Sequence, residues 1–341
     1  MGIFLGKRRK INVNNLFENQ TIVLAGGNGF IGRNLIQSLS LCPTTTNIVC
    51  VSRTGWDHNP NGIINYIYAD LETLSLFDIL KSYHVNPDYI FHLASVTGGI
   101  HYLKQHEAKT LQTNLSIISN SFKDIEKYPN LKGNLFVSSV CAYPQEYQTT
   151  TDMFTIVLSE SLQMAYNPDS SYGWSKIMGE MLVQHYVKEF NVPGVSVRLF
   201  NAYGPYEHLN KDRTHFIPAT IVKVLDYPNT SVEVLGDGTQ IRSFLYIDDV
   251  VEGLKKAILK VKDGSIINLG SDKPFTVKEI VERIIKISGK SITPIYKVTE
   301  GVGAKGRIPN ITKAKQLLDW TPRIELEEGL LKTYDWIKDE I

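Results

Sequence analysis

Cysteine, net charge and long apolar runs are all scarce in this 341-residue sequence. The three cysteines, Cys42, Cys50 and Cys141, cannot form a full disulfide set and lack metal-ligand spacing, which fits a reducing, cytoplasmic setting. A formal net charge of +1 argues against a nucleic-acid partner, which would call for a basic excess. No apolar run approaches the roughly 20 residues of a membrane span. The start, Met1-Gly2-Ile3-Phe4-Leu5-Gly6, is too short for a signal-peptide core, and Gly6 stands where myristoylation wants Ser or Thr. Lys7-Arg8-Arg9-Lys10 reads as a solvated basic tail. Neither internal repeats nor low-complexity tracts occur. What remains, 43% hydrophobic and 21% charged residues, is the composition of a globular enzyme.

The most informative stretch is Thr21-Ile-Val-Leu-Ala25-Gly26-Gly27-Asn28-Gly29-Phe30-Ile31-Gly32. An apolar run of strand length meets a glycine turn and then a helix-periodic segment, Phe30 to Leu39. Such a unit holds a pyrophosphate, because glycines admit the phosphates and the helix N-terminus offers free N–H groups. The spacing is Gly26-x-x-Gly29-x-x-Gly32. Strand and helix patterns then alternate through about residue 140. Strands are expected at 47–52, 66–68, 89–94, 135–139 and 195–200, with helices at 114–125 and 172–190. This implies a Rossmann-type, doubly wound parallel α/β sheet that gathers ligands at the strands' carboxyl ends. Beyond Gly204-Pro205 the alternation breaks, and helices are expected at 250–259, 276–287, 317–320 and 327–337. The expected division is a tail at 1–18, a cofactor domain at 19–204 plus 241–262, and a smaller mixed substrate lobe at 205–240 plus 263–341.

That placement nominates Gly26, Gly29, Phe30, Ile31 and Gly32 as cofactor contacts, with Leu93, Ala94 and Ser95 at the fourth strand end. The second strand ends in Ser52-Arg53, where an NAD-binding chain carries an acid. An arginine there suits a 2′-phosphate, so NADP is expected, with NAD as the alternative. Asp70-Leu71 suits the adenine edge. Tyr172 and Lys176 lie four apart on one helix face, so the ammonium is expected to lower the phenol's pKa and also to hold the cofactor ribose. Ser138 or Ser139 can bind the substrate oxygen whose proton Tyr172 moves.

Together with His92-Leu-Ala94, Arg198-Leu-Phe-Asn201-Ala-Tyr-Gly-Pro205 and Arg242-Ser-Phe-Leu-Tyr-Ile-Asp248-Asp249-Val250, these motifs resemble the extended short-chain dehydrogenase/reductases, the nucleotide-sugar epimerase/dehydratase family. The resemblance runs from about Thr21 to the C-terminus. It implies an NAD(P)-binding lobe, a lobe for a nucleoside diphosphate sugar, and catalysis by Ser139, Tyr172 and Lys176. It makes Gly98, Ser138, Ser139, Asn201, His215, Arg242 and Arg307 substrate contacts, with Asn201, Arg242 and Arg307 on the diphosphate, and implies a homodimer.

Dehydratases of the family carry an acidic pair after the strand-end hydroxyl, whereas Val140-Cys141 stands here. The run Ser138-Ser-Val-Cys141-Ala-Tyr-Pro144 is similar to the branch of GDP-mannose 3,5-epimerase and GDP-fucose synthase. The loop Ser95-Val-Thr-Gly98-Gly99 resembles that branch too. His215-Phe-Ile-Pro218 resembles the synthase, and residues 300–307 the epimerase. The resemblance favours a GDP-sugar and makes Cys141 and His215 a proton-transfer pair at C3 and C5 of a 4-keto sugar. C4 reduction and a role in surface-polysaccharide sugar supply remain compatible. A simple 4-epimerase or 4-ketoreductase needs only Ser139, Tyr172 and Lys176; an NAD(P)-sensing scaffold needs no proton relay.

Overall fold

The computed structural model describes residues 16–42, 46–56, 62–153, 156–162, 167–210, 213–298 and 303–341. The basic cluster Lys7-Arg8-Arg9-Lys10 lies outside them. Five parallel strands open the chain: β1 (Thr21–Ala25), β2 (Asn47–Ser52), β3 (Ile64–Tyr68), β4 (Tyr89–His92) and β5 (Gly133–Ser139). With Gly194–Leu199 and Asp263–Leu269 they form a seven-stranded sheet. Its order is Asp263–Leu269, Gly194–Leu199, β5, β4, β1, β2, β3. The order reverses between β1 and β4, where a doubly wound sheet opens its ligand crevice. Ile22, Val23, Leu24 and Ala25 are fully buried, which explains an uninterrupted apolar strand rather than an alternating one.

Helices α1 (Phe30–Leu39), α2 (Leu76–Ser82), α3 (Ile100–Gln105), α4 (Glu107–Phe122) and α5 (Ser171–Phe190) belong to this first half. Ser170 caps α5 by accepting from Gly173 N at 3.2 Å, and Asn191 ends it in the left-handed region. The 114–125 helical expectation captures only the later part of α4, because Glu107 to Thr113 lacks a strong apolar stripe.

The later chain adds α6 (Phe216–Asp226), α7 (Ile247–Lys260), α8 (Val277–Ser288), α9 (Thr312–Leu318) and α10 (Leu326–Glu340). A four-stranded mixed sheet runs Pro274–Thr276, Ile241–Ser243, Gly306–Pro309, Val157–Leu158. Several elements depart from the sequence expectation: Ile241–Ser243 and Val157–Leu158, expected within the cofactor domain, lie in this small sheet. Asp263–Leu269 pairs with Gly194–Leu199 in the large sheet instead of joining the second lobe, since its run Ile266-Ile267-Asn268-Leu269 fills a wholly buried edge. Trp320 lies beyond α9 rather than within a helix; its indole is buried and donates to the Asp249 carbonyl at 3.1 Å. Asp249 Oδ2 also accepts from the backbone of Arg323 and Ile324, both at 2.9 Å, and so docks the C-terminal segment onto α7. Among the described residues, no helix is long and apolar enough to cross a membrane.

Candidate active site

The glycine turn connects β1 to α1 directly beneath the end of β4. Leu93 N and Ala94 N both donate to the Ala25 carbonyl at 2.8 Å. Gly26 has φ +91°, and a Cβ there would stand 2.5 Å from Ala94 N, so only glycine fits. Gly29 is different: a Cβ would meet just the Gly26 carbonyl, at 3.4 Å. Gly29 is also the N-cap of α1; no side chain caps that helix and no acid sits in its first turn. The N–H groups at Phe30, Ile31 and Gly32 are therefore positioned for an anion, and the turn fits a dinucleotide pyrophosphate.

Around it, Ser52 donates its hydroxyl to the Thr54 carbonyl, Arg53 is exposed just past β2, and Leu71 is buried. Asp70 Oδ1 accepts from Glu72 N at 2.9 Å. Asn28 and Arg33 were not foreseen. Asn28 Nδ2 donates to Thr54 Oγ1 at 2.7 Å and to the Gly55 carbonyl at 3.0 Å, tying the glycine turn to the loop after β2. Arg33 donates Nε to Asn28 Oδ1 at 2.9 Å and lies over Trp56.

The residues expected to be catalytic come together where α5 meets the end of β5. The short 3-10 turn Val140–Ala142 packs on the first turn of α5, so closely that a Cβ on Gly173 would lie 2.1 Å from the Cys141 carbonyl. Glycine between Tyr172 and Trp174 thus lets Cys141 approach the phenol. Ser139 Oγ accepts from Cys141 N at 3.2 Å. Tyr172 is buried, and burial pushes its phenol up, the nearby Cys141 adding to this; hydrogen bonding with Thr97, Ser95 and Ser139 pulls the other way. The expected lowering by Lys176 does not prevail, because desolvation of the phenolate is the larger effect, and Tyr172 is held as a proton-bearing phenol. Lys176 Nζ lies 5.3 Å from the Tyr172 ring and donates to the Val137 carbonyl at 2.9 Å. Burial pulls its pKa down to about 8, against the charges of Glu180 and Cys141, so it remains mainly an ammonium at neutral pH.

The two strand-end serines part company. Ser138 Oγ donates to Glu180 Oε1 at 2.5 Å beneath the site, where Arg198 holds the same carboxylate with two bonds of 2.7 Å. That hydroxyl is committed to a buried ion pair, which speaks against Ser138 as a substrate contact and leaves Ser139 facing Tyr172. Thr97 is a residue that the sequence reading missed; its hydroxyl-bearing loop is fixed by Asn114, which accepts from Val96 N at 2.7 Å.

Arg242 and Arg307 are neighbours across paired strands. Arg307 ion-pairs with Asp169, also unforeseen, and donates Nη1 to Cys141 Sγ at 3.7 Å. Its Nε is buried with no partner among the described residues. Arg242 donates to the carbonyls of Ile241 (2.8 Å) and Ala304, and burial followed by the charge of Arg307 lowers its pKa. Two like charges held this close form a site for an anion. Asn201, at φ +40°, donates to the Ser243 carbonyl at 2.8 Å, close to Arg242 in the chain.

His215 caps α6. Gly99 connects it to the centre: a Cβ there would stand 3.2 Å from the Thr214 carbonyl, so the loop carrying Ser95, Thr97 and Gly98 runs from Tyr172 to the His215 strap. Burial pushes the Cys141 thiol up to about 11, with Asp169 adding to it and Arg307 opposing. His215 hydrogen-bonds through Nδ1 to Glu207, which the sequence reading also passed over.

These features have relatives. GDP-mannose 3,5-epimerase 1 of Oryza sativa subsp. indica is 28% identical over 326 residues, covering 95% of this chain and 83% of that protein. UDP-glucuronic acid decarboxylase 1 of Arabidopsis thaliana is 30% identical over 318 residues, covering 91% and 68%. Among solved structures, UDP-glucuronic acid 4-epimerase from Bacillus cereus, in complex with UDP-glucuronic acid and NAD, is 26% identical. It superposes with a TM-score of 0.79 over 94% of this chain and 100% of that one. The NAD dependent epimerase/dehydratase family matches residues 22–270, and with the glycine turn, Ser139, Tyr172 and Lys176 in place the chain belongs to that family.

Proposed function

We propose that the protein is an NAD(P)-dependent nucleotide-sugar epimerase that works through a 4-keto sugar and exchanges protons at C3 and C5. The observation that carries this reading is the Cys141 thiol on the turn of Ser139, against Tyr172, with a second proton-carrying group, His215, on the strap beyond Gly99. A bound nicotinamide would supply the reversible removal of the C4 hydride. Ser139 and Tyr172 handle the C4 oxygen and its proton, and Lys176 holds charge beside them. The ketone acidifies its neighbouring C–H bonds. His215 takes a proton from one face of the carbon, the bonding electrons moving into the enediolate, and the Cys141 thiol delivers a proton to the other face. The thiolate and imidazolium then exchange protons with water to reset.

Arg242 and Arg307 would hold the diphosphate. A GDP-sugar is favoured by the relatives named GDP-mannose 3,5-epimerase, and NADP by Arg53. A role in the cytoplasm, supplying sugars for surface polysaccharide with or without C4 reduction, agrees with this chemistry. Leu115 of α4 and Trp174, Met178 and Met181 of α5 stand exposed on packed helices, supporting a homodimer through this face.

A plain 4-epimerase is the second reading, favoured by the likeness to the UDP-glucuronic acid 4-epimerase structure. The test is turnover of GDP-mannose, and of a panel of UDP-sugars, in heavy water. Deuterium at C3 or C5, lost in Cys141→Ser and His215→Asn, supports the 3,5-epimerase. Inversion at C4 without deuterium at carbon overturns it.

A further inference from the structure

We propose that Glu207 is the positioning residue of His215, its buried carboxylate accepting the Nδ1 proton so that Nε2 is the nitrogen that meets the sugar. The proposal rests on the reading of His215 as a proton-transfer group. Glu207 follows a tight reversal of the chain. Tyr206 stands at φ +69°, a left-handed conformation that reverses the chain and sends Glu207 inward. Two hydrogen bonds and two ring contacts fix that turn. Asn34 Nδ2 donates to the Pro205 carbonyl at 2.9 Å, Gln37 Nε2 donates to Tyr206 Oη at 2.5 Å, and the Tyr206 ring sits 5.3 Å from Trp56 and 5.7 Å from Trp336. Helix α1, which presents the phosphate turn at its start, thus anchors the carboxylate.

The Glu207 side chain is 3% exposed and that of His215 46%. Oε1 holds the imidazole, and Oε2 has no partner among the described residues. A buried carboxylate with one oxygen unused gains little as scaffolding, since its desolvation is only partly repaid. It gains much if the partner becomes charged. An ionised carboxylate only accepts, so Nδ1 must carry the hydrogen, and the Nε2 lone pair is left for a substrate proton. Protein crowded around the ring works against the imidazolium, yet the charge and hydrogen bond of Glu207 outweigh it and raise the pKa. The other titratable group that faces the pair is His208, on the same loop; burial, then the charges of Arg33 from α1 and Arg213 from the strap, lower its pKa, with Glu207 opposing.

The experiment is histidine NMR on the full chain, with His215→Asn assigning the signal. The expected result is an Nδ1–H tautomer with a midpoint above the usual histidine value, and in Glu207→Gln a midpoint lower by about one pH unit. An unchanged midpoint and tautomer in Glu207→Gln overturn the proposal. In heavy water with GDP-mannose, Glu207→Gln should cut deuterium entry at least about tenfold and move the acidic limb of the exchange–pH profile downward, with Glu207→Asp recovering part of both. A structural role alone would lower the unfolding temperature without moving that limb. Failure of the underlying reading looks different: His215→Asn would then exchange at the wild-type rate while the NMR coupling persisted.

Discussion

Arg307 and Cys141 are joined in this structure, Nη1 to Sγ at 3.7 Å, while the other end of the same guanidinium ion-pairs with Asp169. One arginine therefore links the proton-carrying thiol to the anion site. Burial raises the thiol pKa to about 11, Asp169 pushes the same way, and Arg307 counters both. The sign follows directly: below about 11 the sulfur is a thiol and a proton donor, above it a thiolate. Alkylation of Cys141 by iodoacetamide should be slow at pH 7.5 and should climb steadily towards pH 11. Asp169→Asn should accelerate it at neutral pH by at least about threefold, because it removes a raising charge and frees Arg307. Cys42 and Cys50 are buried and are controlled for with Cys141→Ser. A rate unaffected by Asp169→Asn would show that this carboxylate does not govern the thiol.

Two glycines of one turn should fail in different ways. Gly26→Ala forces a side chain into Ala94 at a positive φ, so the expected outcome is a loss of folding stability of roughly 1–3 kcal/mol or more. Gly29→Ala meets one backbone oxygen at ordinary contact distance and should fold with near wild-type stability. It should instead weaken cofactor binding, because the methyl group enters the space above the α1 N-terminus. Thermal unfolding and fluorescence titration with NADPH separate the two. Equal stability losses would remove Gly29 from the phosphate site.

Tyr172→Phe should lower turnover by at least about a hundredfold, the usual contribution of a positioned acid–base group, and leave the unfolding midpoint close to wild type. The phenol carries its proton at neutral pH, so loss of the hydroxyl removes the donor at C4 oxygen rather than a charge. Near wild-type turnover on GDP-mannose or whichever panel sugar is accepted would remove Tyr172 from the mechanism.

Local periodicity made the first half of the fold legible. A buried run such as Ile22 to Ala25 that ends on a glycine turn has few alternatives, and Tyr172 and Lys176 needed only the helical four-residue spacing to be placed together. What stayed hidden depends on distant partners. Glu207 and Asp169 look like loop carboxylates in the sequence; only the chain reversal at Tyr206 and the approach of the strand Gly306–Pro309 give them His215 and Arg307. Ser138 and Ser139 are indistinguishable by type, and alternation along β5 sends one to Glu180 and the other towards Tyr172. Asp263–Leu269 was misplaced because pairing with Gly194–Leu199, nearly seventy residues earlier, leaves no local mark.

The Glu180–Arg198 pair beneath the site carries a stability prediction. Both side chains are almost wholly buried, and the carboxylate also takes the Ser138 hydroxyl. Glu180→Gln would leave a desolvated guanidinium without its counter-charge, at a cost of about 3–5 kcal/mol in urea unfolding. The double substitution Glu180→Leu, Arg198→Met should recover much of that loss, since apolar replacements leave no buried charge. A single-variant loss below about 1 kcal/mol would mean that water reaches Arg198.

The last prediction concerns cofactor choice. Ser52 ends β2, and Arg53 follows it, exposed, where an acid would accept from the ribose of NAD. Arg33 stands at the same end of the sheet, its guanidinium 5.2 Å from the Trp56 ring centroid, but its Nε is spent on Asn28. The two arginines should therefore behave differently. A charge-assisted bond to a 2′-phosphate contributes about 1.5–3 kcal/mol, so Arg53→Ala should weaken NADP(H) binding by about tenfold or more and leave NAD(H) within about twofold. Arg33→Gln loosens the Asn28 tie between the glycine turn and the loop after β2, and so should weaken both cofactors together. Calorimetric titration of the wild type and both variants with NADPH and NADH reads the difference. If the wild type binds NADH as tightly as NADPH, or Arg53→Ala affects both alike, the 2′-phosphate assignment fails and the enzyme is an NAD reader that lacks the usual acid.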